Sequence, residues 1–87
     1  MENNIYFTLE EALFCTGLKK NTLRDAINRD KVRDWTEVGK AGRYHIEPES
    51  LLEYCEAINA GKVIVHNDRP YPTDIVKDRI EEVKLFK

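Results

Sequence analysis

Thr8, Glu11 and Gly17 delimit the first structural unit of the chain. In a Thr-x-x-Glu sequence the hydroxyl and the carboxylate satisfy free backbone amides at a helix start, and a glycine suits the left-handed position at which a helix turns off. Between these signals Leu9, Ala12 and Leu13 share a face, with Cys15 and Leu18 near its end, so the spacing predicts a helix from Leu9 to about Thr16. Immediately after Gly17, Leu23, Ala26 and Ile27 recur at three to four residues, which predicts a second helix from about Lys20 to Arg29 with one apolar stripe. Its other face is polar: Lys20 and Arg24 are four apart, and Asn21, Arg24 and Asn28 are spaced by three and four, so all of them share the exposed side. Two short helices joined by a tight turn, the second with a polar reading face, are the frame for the rest of the chain.

Val32, Trp35 and Val38 lie in a stretch too short and too β-branched for a stable helix, and Arg43-Tyr44-His45-Ile46 reads as a returning strand. Gly39-Lys40-Ala41-Gly42 between them has the glycines of a hairpin tip, from which Lys40 and Arg43 project. Pro48 suits the first position of a third helix, whose apolar face of Leu51, Leu52, Cys55 and Ile58 ends at Gly61 and packs under the hairpin. Lys62 to His66 reads as a short extended segment and Asn67 to Pro72 as a turn-rich linker. Thr73 with Asp74 is expected to cap a last helix reaching Phe86, with Ile75, Val76, Ile80 and Val83 on one side, either completing the core or pairing with another copy. The expected fold is mainly α with a small β-hairpin wing: residues 1–61 as the principal unit, and residues 62–87 as an extended segment and C-terminal helix.

At 87 residues and 41% hydrophobic side chains the chain buries one modest core, which argues for a single small unit over a multidomain enzyme. No apolar run has the length of a membrane span, and Met1-Glu2-Asn3-Asn4 lacks the basic and apolar regions of a signal peptide, so a cytoplasmic protein without membrane association is expected. Cys15 and Cys55 form no CxxC pair and are expected as small buried hydrophobes. The net charge of -2 argues against nucleic-acid binding only if charge is spread evenly. It is not: residues 17–45 carry eight basic and four acidic side chains, a net +4, leaving -6 for the remainder. Such asymmetry produces a local positive field, while the acidic flanks lower non-specific affinity for phosphate.

Thr8-Leu9-Glu10-Glu11-Ala12, Gly17-Leu18, Asn21-Thr22-Leu23-Arg24, Ile27, Tyr44-His45-Ile46 and Leu51 together resemble the excisionase and MerR-like winged helix-turn-helix family, over about Tyr6 to Tyr54. The chain departs from the family pattern at Lys19, where a serine usually caps the recognition helix, at Asp30, where a glycine commonly leads to the wing, and at the bulkier Leu13-Phe14. The resemblance implies double-stranded DNA as partner, with the second helix in the major groove and the wing at the backbone. It also implies several cooperating copies on DNA, with a recombinase or another phage or plasmid protein as associate, while pairing through Thr73 to Phe86 would instead give a homodimer on paired half-sites. In that setting Arg24 is expected to donate two parallel hydrogen bonds to guanine and Asn21 or Asn28 to pair with adenine, each good bidentate contact being worth roughly 1 to 3 kcal/mol of discrimination. Lys19, Lys20, Thr22, Lys40 and Arg43 are expected at phosphates, which hold register without reading sequence.

A plainer role competes with the functional one at several of these residues. Arg24 can instead pair with Asp25, Asn28 or a neighbouring carboxylate on a solvated face, but its place in the helix-turn-helix pattern favours the DNA role. Trp35 and Tyr44 fit core or wing packing better than a groove wedge. Gly39-Lys40-Ala41-Gly42 has the GxxG form of single-strand clamps, but that loop joins two helices and this one joins two expected strands. His45 and His66 with the two cysteines lack ligand spacing, so no metal or cofactor is expected. No nucleophile-base motif or phosphate-binding GxxxxGK segment suggests an enzyme. Three functions remain: an excisionase-like factor that bends DNA, a small transcriptional regulator on paired half-sites, and a protein-interaction adapter that kept the fold and lost DNA.

Overall fold

A computed structural model of the chain describes residues 5–34, 44–65 and 67–86. They form four helices: α1 (Leu9–Thr16), α2 (Lys20–Asn28), α3 (Pro48–Asn59) and α4 (Thr73–Leu85). The first starts as its sequence dictates. Glu11 N–H donates to Thr8 Oγ1 (3.1 Å), Thr8 N–H donates to Glu11 Oε1 (2.8 Å), and Gly17, at φ 74°, closes the helix by donating to the Leu13 carbonyl (2.8 Å).

Helix α2 stops at Asn28, one residue before the expected end. Asp30 takes φ 60° in the position where a glycine is the usual residue, a conformation that Asp tolerates better than most side chains. Its N–H donates to the Ile27 carbonyl (3.1 Å) and Lys31 N–H to the Ala26 carbonyl (2.8 Å), the paired bonds of a Schellman ending. The same ending recurs after α3, where Gly61 (φ 78°) donates to Ile58 and Lys62 donates to Ala57. Asp30 therefore turns the chain as a glycine would and delivers Val32 into the core at 1% exposure.

Strand pairing among the described residues is limited to two isolated antiparallel bridges, Phe7 with Ile46 and Asp34 with Ile46. Phe7 and Ile46 exchange both backbone hydrogen bonds (2.8 and 2.9 Å), and Glu47 N–H donates to the Arg33 carbonyl (3.0 Å). Ile46 thus joins the segment before α1 to the segment after α2. The expected hairpin tip at Gly39 to Gly42, with Trp35, Val38, Lys40 and Arg43, lies outside the described residues, as does His66. Of the segment expected as extended, Lys62 and Val63 form a bend, and Ile64 and Val65 belong to no helix or strand.

The last helix also starts differently from expectation. Pro72 is its N-cap and no side chain caps it. Thr73 Oγ1 instead accepts from Asn59 Nδ2 (3.2 Å), which also donates to the Tyr71 carbonyl (3.1 Å) and ties the end of α3 to the start of α4. Val76 and Ile80 are buried in the common core with Phe7, Leu23, Ile46 and Leu51, and Val83 packs partly against it. Ile75 turns away and is 41% exposed. Of the two roles open for α4, core completion uses most of its apolar side.

Cys15 and Cys55 are buried free thiols. Burial, reinforced by Glu11, pushes the Cys15 thiol up to about 11, and burial followed by the neighbouring Cys15 pushes Cys55 up to about 12. The unfolded chain ionises both near 9, so the folded state holds extra protons above that pH. Their contribution is constant below about pH 9 and is lost progressively as pH rises towards 11 and 12. Urea unfolding midpoints are expected to be flat between neutrality and about pH 9 and to fall above it, with a shallower fall in a Cys15→Ala, Cys55→Ala chain. An equal fall in that double variant would show that other groups govern alkaline stability.

Candidate nucleic-acid interface

Helix α2 buries Leu23 and Ala26 and half-buries Ile27 and Thr22, which leaves Lys20, Asn21, Arg24, Asp25, Asn28 and Arg29 exposed. The three residues expected to read bases, Asn21, Arg24 and Asn28, therefore lie together on the open side. Thr22 sits at its margin, nearer the core than spacing alone suggests.

Charge on this surface is distributed by pairing. Asp25 forms an ion pair with Arg29, Oδ2 to Nε 3.2 Å, one helical turn away. Arg33 donates to Glu47 from both Nε (2.9 Å) and Nη2 (2.6 Å), and Glu47 holds the guanidinium further towards its charged form. Those pairs occupy two of the basic side chains that produce the positive count for residues 17–45. Arg24, Lys20 and Lys31 have no ion pair among the described residues. Asp25 is thus engaged by Arg29 and not by Arg24, which leaves the Arg24 guanidinium on an open face with its donors unclaimed by a described carboxylate.

The start of α2 is held from a distance. Lys19 is the N-cap residue, and no side chain provides a local cap at this helix start. Its N–H donates to Asp68 Oδ2 (2.9 Å), and its Nζ donates to the Asn67 carbonyl (2.9 Å). Lys19 therefore reaches towards residues 67–68 rather than standing free like Lys20. Three residues beyond Asp68, Tyr71 N–H donates to the Thr16 carbonyl (2.8 Å), and the Tyr71 ring lies over Gly17. Arg79 of α4 stacks on Phe14 and on Tyr71, each at 4.7 Å from the ring centroid, and donates to the Phe14 carbonyl (3.1 Å).

Beside α2 an open groove of about 360 Å³ runs between Asn21, Asp25 and Arg29 on one wall and Ile64 and Val65 on the other, with Tyr54 below. Ile64 is 80% exposed. Sequence spacing identifies the α2 side of this surface but not the contributions of Ile64, Val65, Asn67 and Asp68, which have no periodic signature and reach α2 only through the fold. Lys40 and Arg43, the expected wing contacts, lie outside the described residues. Among the described residues no group of three or more His, Cys, Asp or Glu could hold a metal ion, and no helix is long and apolar enough to cross a membrane. No family model, curated protein or solved structure shows a significant match to the chain.

Proposed function

We propose that this chain binds double-stranded DNA as a winged helix-turn-helix module, with α2 in the major groove. The observation that carries the reading is Arg24: an exposed guanidinium, without an ion pair among the described residues, on the same helix face as Asn21 and Asn28. Its fork of donors matches the O6 and N7 acceptors of guanine, and the flanking amides match adenine. Lys19, Lys20 and Thr22 at the helix start, with Lys40 and Arg43, supply phosphate contacts. Asp25 and Arg29 neutralise one another, so the acidic residue on this face does little to oppose the duplex.

An excisionase-like role, with several single modules loading on repeated sites, is favoured over a regulator built on paired half-sites. The apolar side of α4, which a symmetric dimer would need, is largely spent on α1 and α3 through Val76 and Ile80.

Selection of bound duplexes from a random pool, followed by affinity measurements across a salt series, tests the reading. Binding that neutralises several phosphates weakens steeply with salt. Arg24→Ala is expected to cost about 1 to 3 kcal/mol on the selected duplex and to flatten preference at one base pair. Lys20→Ala is expected to weaken all duplexes alike. No salt-dependent affinity for any duplex would leave the adapter function in its place.

A further inference from the structure

The bonds around the turn between α1 and α2 are made largely by residues beyond the resemblance to a winged helix-turn-helix. We propose that Asp68 is a positioning residue for the DNA-reading helix: its carboxylate, delivered by the 67–71 segment, holds the start of α2 in place of a local cap. The proposal rests on the DNA-binding reading and extends it to a residue 49 positions away in sequence from the amide it holds.

The first amides of any helix lack partners within it, and in a capping box the carboxylate at the third helical position accepts from the cap residue's own N–H. Glu11 does this for Thr8 in α1, at 2.8 Å. The equivalent position in α2 is Thr22, which carries no carboxylate, and the cap residue is Lys19, whose side chain has no acceptor. Asp68 Oδ2 accepts from Lys19 N–H at 2.9 Å and so does for α2 what Glu11 does for α1.

The carboxylate is itself held. Asn67 takes φ 58°, Arg69 N–H donates to the other Asp68 oxygen (2.9 Å), and Lys19 Nζ grips the Asn67 carbonyl (2.9 Å). Tyr71 then anchors the segment on Thr16 and Gly17, and Arg79 stacks on both Tyr71 and Phe14. Seating of α4 on the core is in this way linked through a short stretch of chain to the end of α2 that approaches DNA. A negative charge beside the candidate phosphate contacts Lys19 and Lys20 opposes duplex binding, so its presence there is better accounted for by the amide it accepts from than by attraction to the ligand.

Two substitutions separate position from charge. Asp68→Ala removes both the acceptor and the charge; Asp68→Asn removes the charge and keeps an acceptor oxygen. Hydrogen exchange at the Lys19 amide and affinity for the duplex selected by the unsubstituted chain are read together, with thermal unfolding confirming that each variant folds. Asp68→Ala is expected to expose the Lys19 amide and to weaken binding about fivefold, the scale of a lost helix cap. Asp68→Asn is expected to keep the amide protected and to bind as tightly as the parent or tighter. Unchanged Lys19 protection in Asp68→Ala, or unchanged or tighter duplex binding despite lost protection, overturns the positioning role while leaving DNA binding intact. Absence of duplex binding by the parent chain overturns the DNA reading and the positioning role with it.

Discussion

Phe7→Ala is expected to remove about half of the stability of this protein. Phe7 is fully buried and is the largest such side chain among the described residues. Truncating a buried phenylalanine costs about 3 to 5 kcal/mol, the sum of lost transfer energy and the cavity left behind. A domain of this length has roughly 5 to 10 kcal/mol in total. The position concentrates several roles: its backbone exchanges two hydrogen bonds with Ile46, and its ring joins a core containing Leu23 of α2, Leu51 of α3 and Val76 of α4. Loss of the ring therefore loosens the base on which α2 is mounted, and duplex binding should weaken with the loss of stability. Thermal unfolding is expected to shift down by about 15 to 30 °C, whereas Phe7→Leu, which keeps most of the volume, should cost less than about 1.5 kcal/mol. A loss below about 1 kcal/mol for Phe7→Ala would mean that the ring is not packed in this way.

The different legibility of the helix ends has a physical basis. Both ends of α1 can be read because the groups that make them lie within the helix or beside it: Thr8 and Glu11 three residues apart, and Gly17 at the turn. The apolar face and the exposed amides of α2 are legible for the same reason, since helical periodicity alone sorts Leu23 and Ala26 from Asn21, Arg24 and Asn28. The end of α2 is harder to read because Asp30 adopts a backbone conformation that sequence ordinarily marks with glycine. The start of α4 misleads because a threonine followed by an aspartate has the local chemistry of a cap, yet the Thr73 hydroxyl is engaged by Asn59 from another helix. Residues 67–72 read as a linker because turn-rich composition reports local backbone preference and carries no trace of bonds to residues about fifty positions away. The charge count of residues 17–45 similarly locates the positive region but cannot separate Arg24 from Arg29 and Arg33, whose carboxylate partners are fixed by helix register and by the fold.

Gly17→Ala is expected to destabilise the chain by roughly 2 to 5 kcal/mol, from two causes of comparable size that can be measured apart. The first is backbone handedness: φ is 74°, and a left-handed conformation costs a residue with a Cβ about 1 to 2 kcal/mol. The second is space. A Cβ at Gly17 would lie 2.7, 2.8 and 3.0 Å from three atoms of the Tyr71 ring, too close without movement of the ring. Tyr71 is not free to yield cheaply, since its amide is bonded to Thr16 and its face is stacked by Arg79; forcing such a shift costs about 1 to 3 kcal/mol. In a double-mutant cycle, Tyr71→Ala removes the obstacle but leaves the handedness unchanged, so the two substitutions together should cost about 1 kcal/mol or more less than the sum of the singles. Strict additivity in urea unfolding would show that the ring does not confine Gly17. The same cycle read by hydrogen exchange at the Lys19 amide bears on α2, because displacing Tyr71 pulls on the segment that carries Asp68. Protection at Lys19 should fall in Gly17→Ala and recover only in part when Tyr71 is removed, since Tyr71→Ala frees the space but also gives up the stack that holds the segment against the turn.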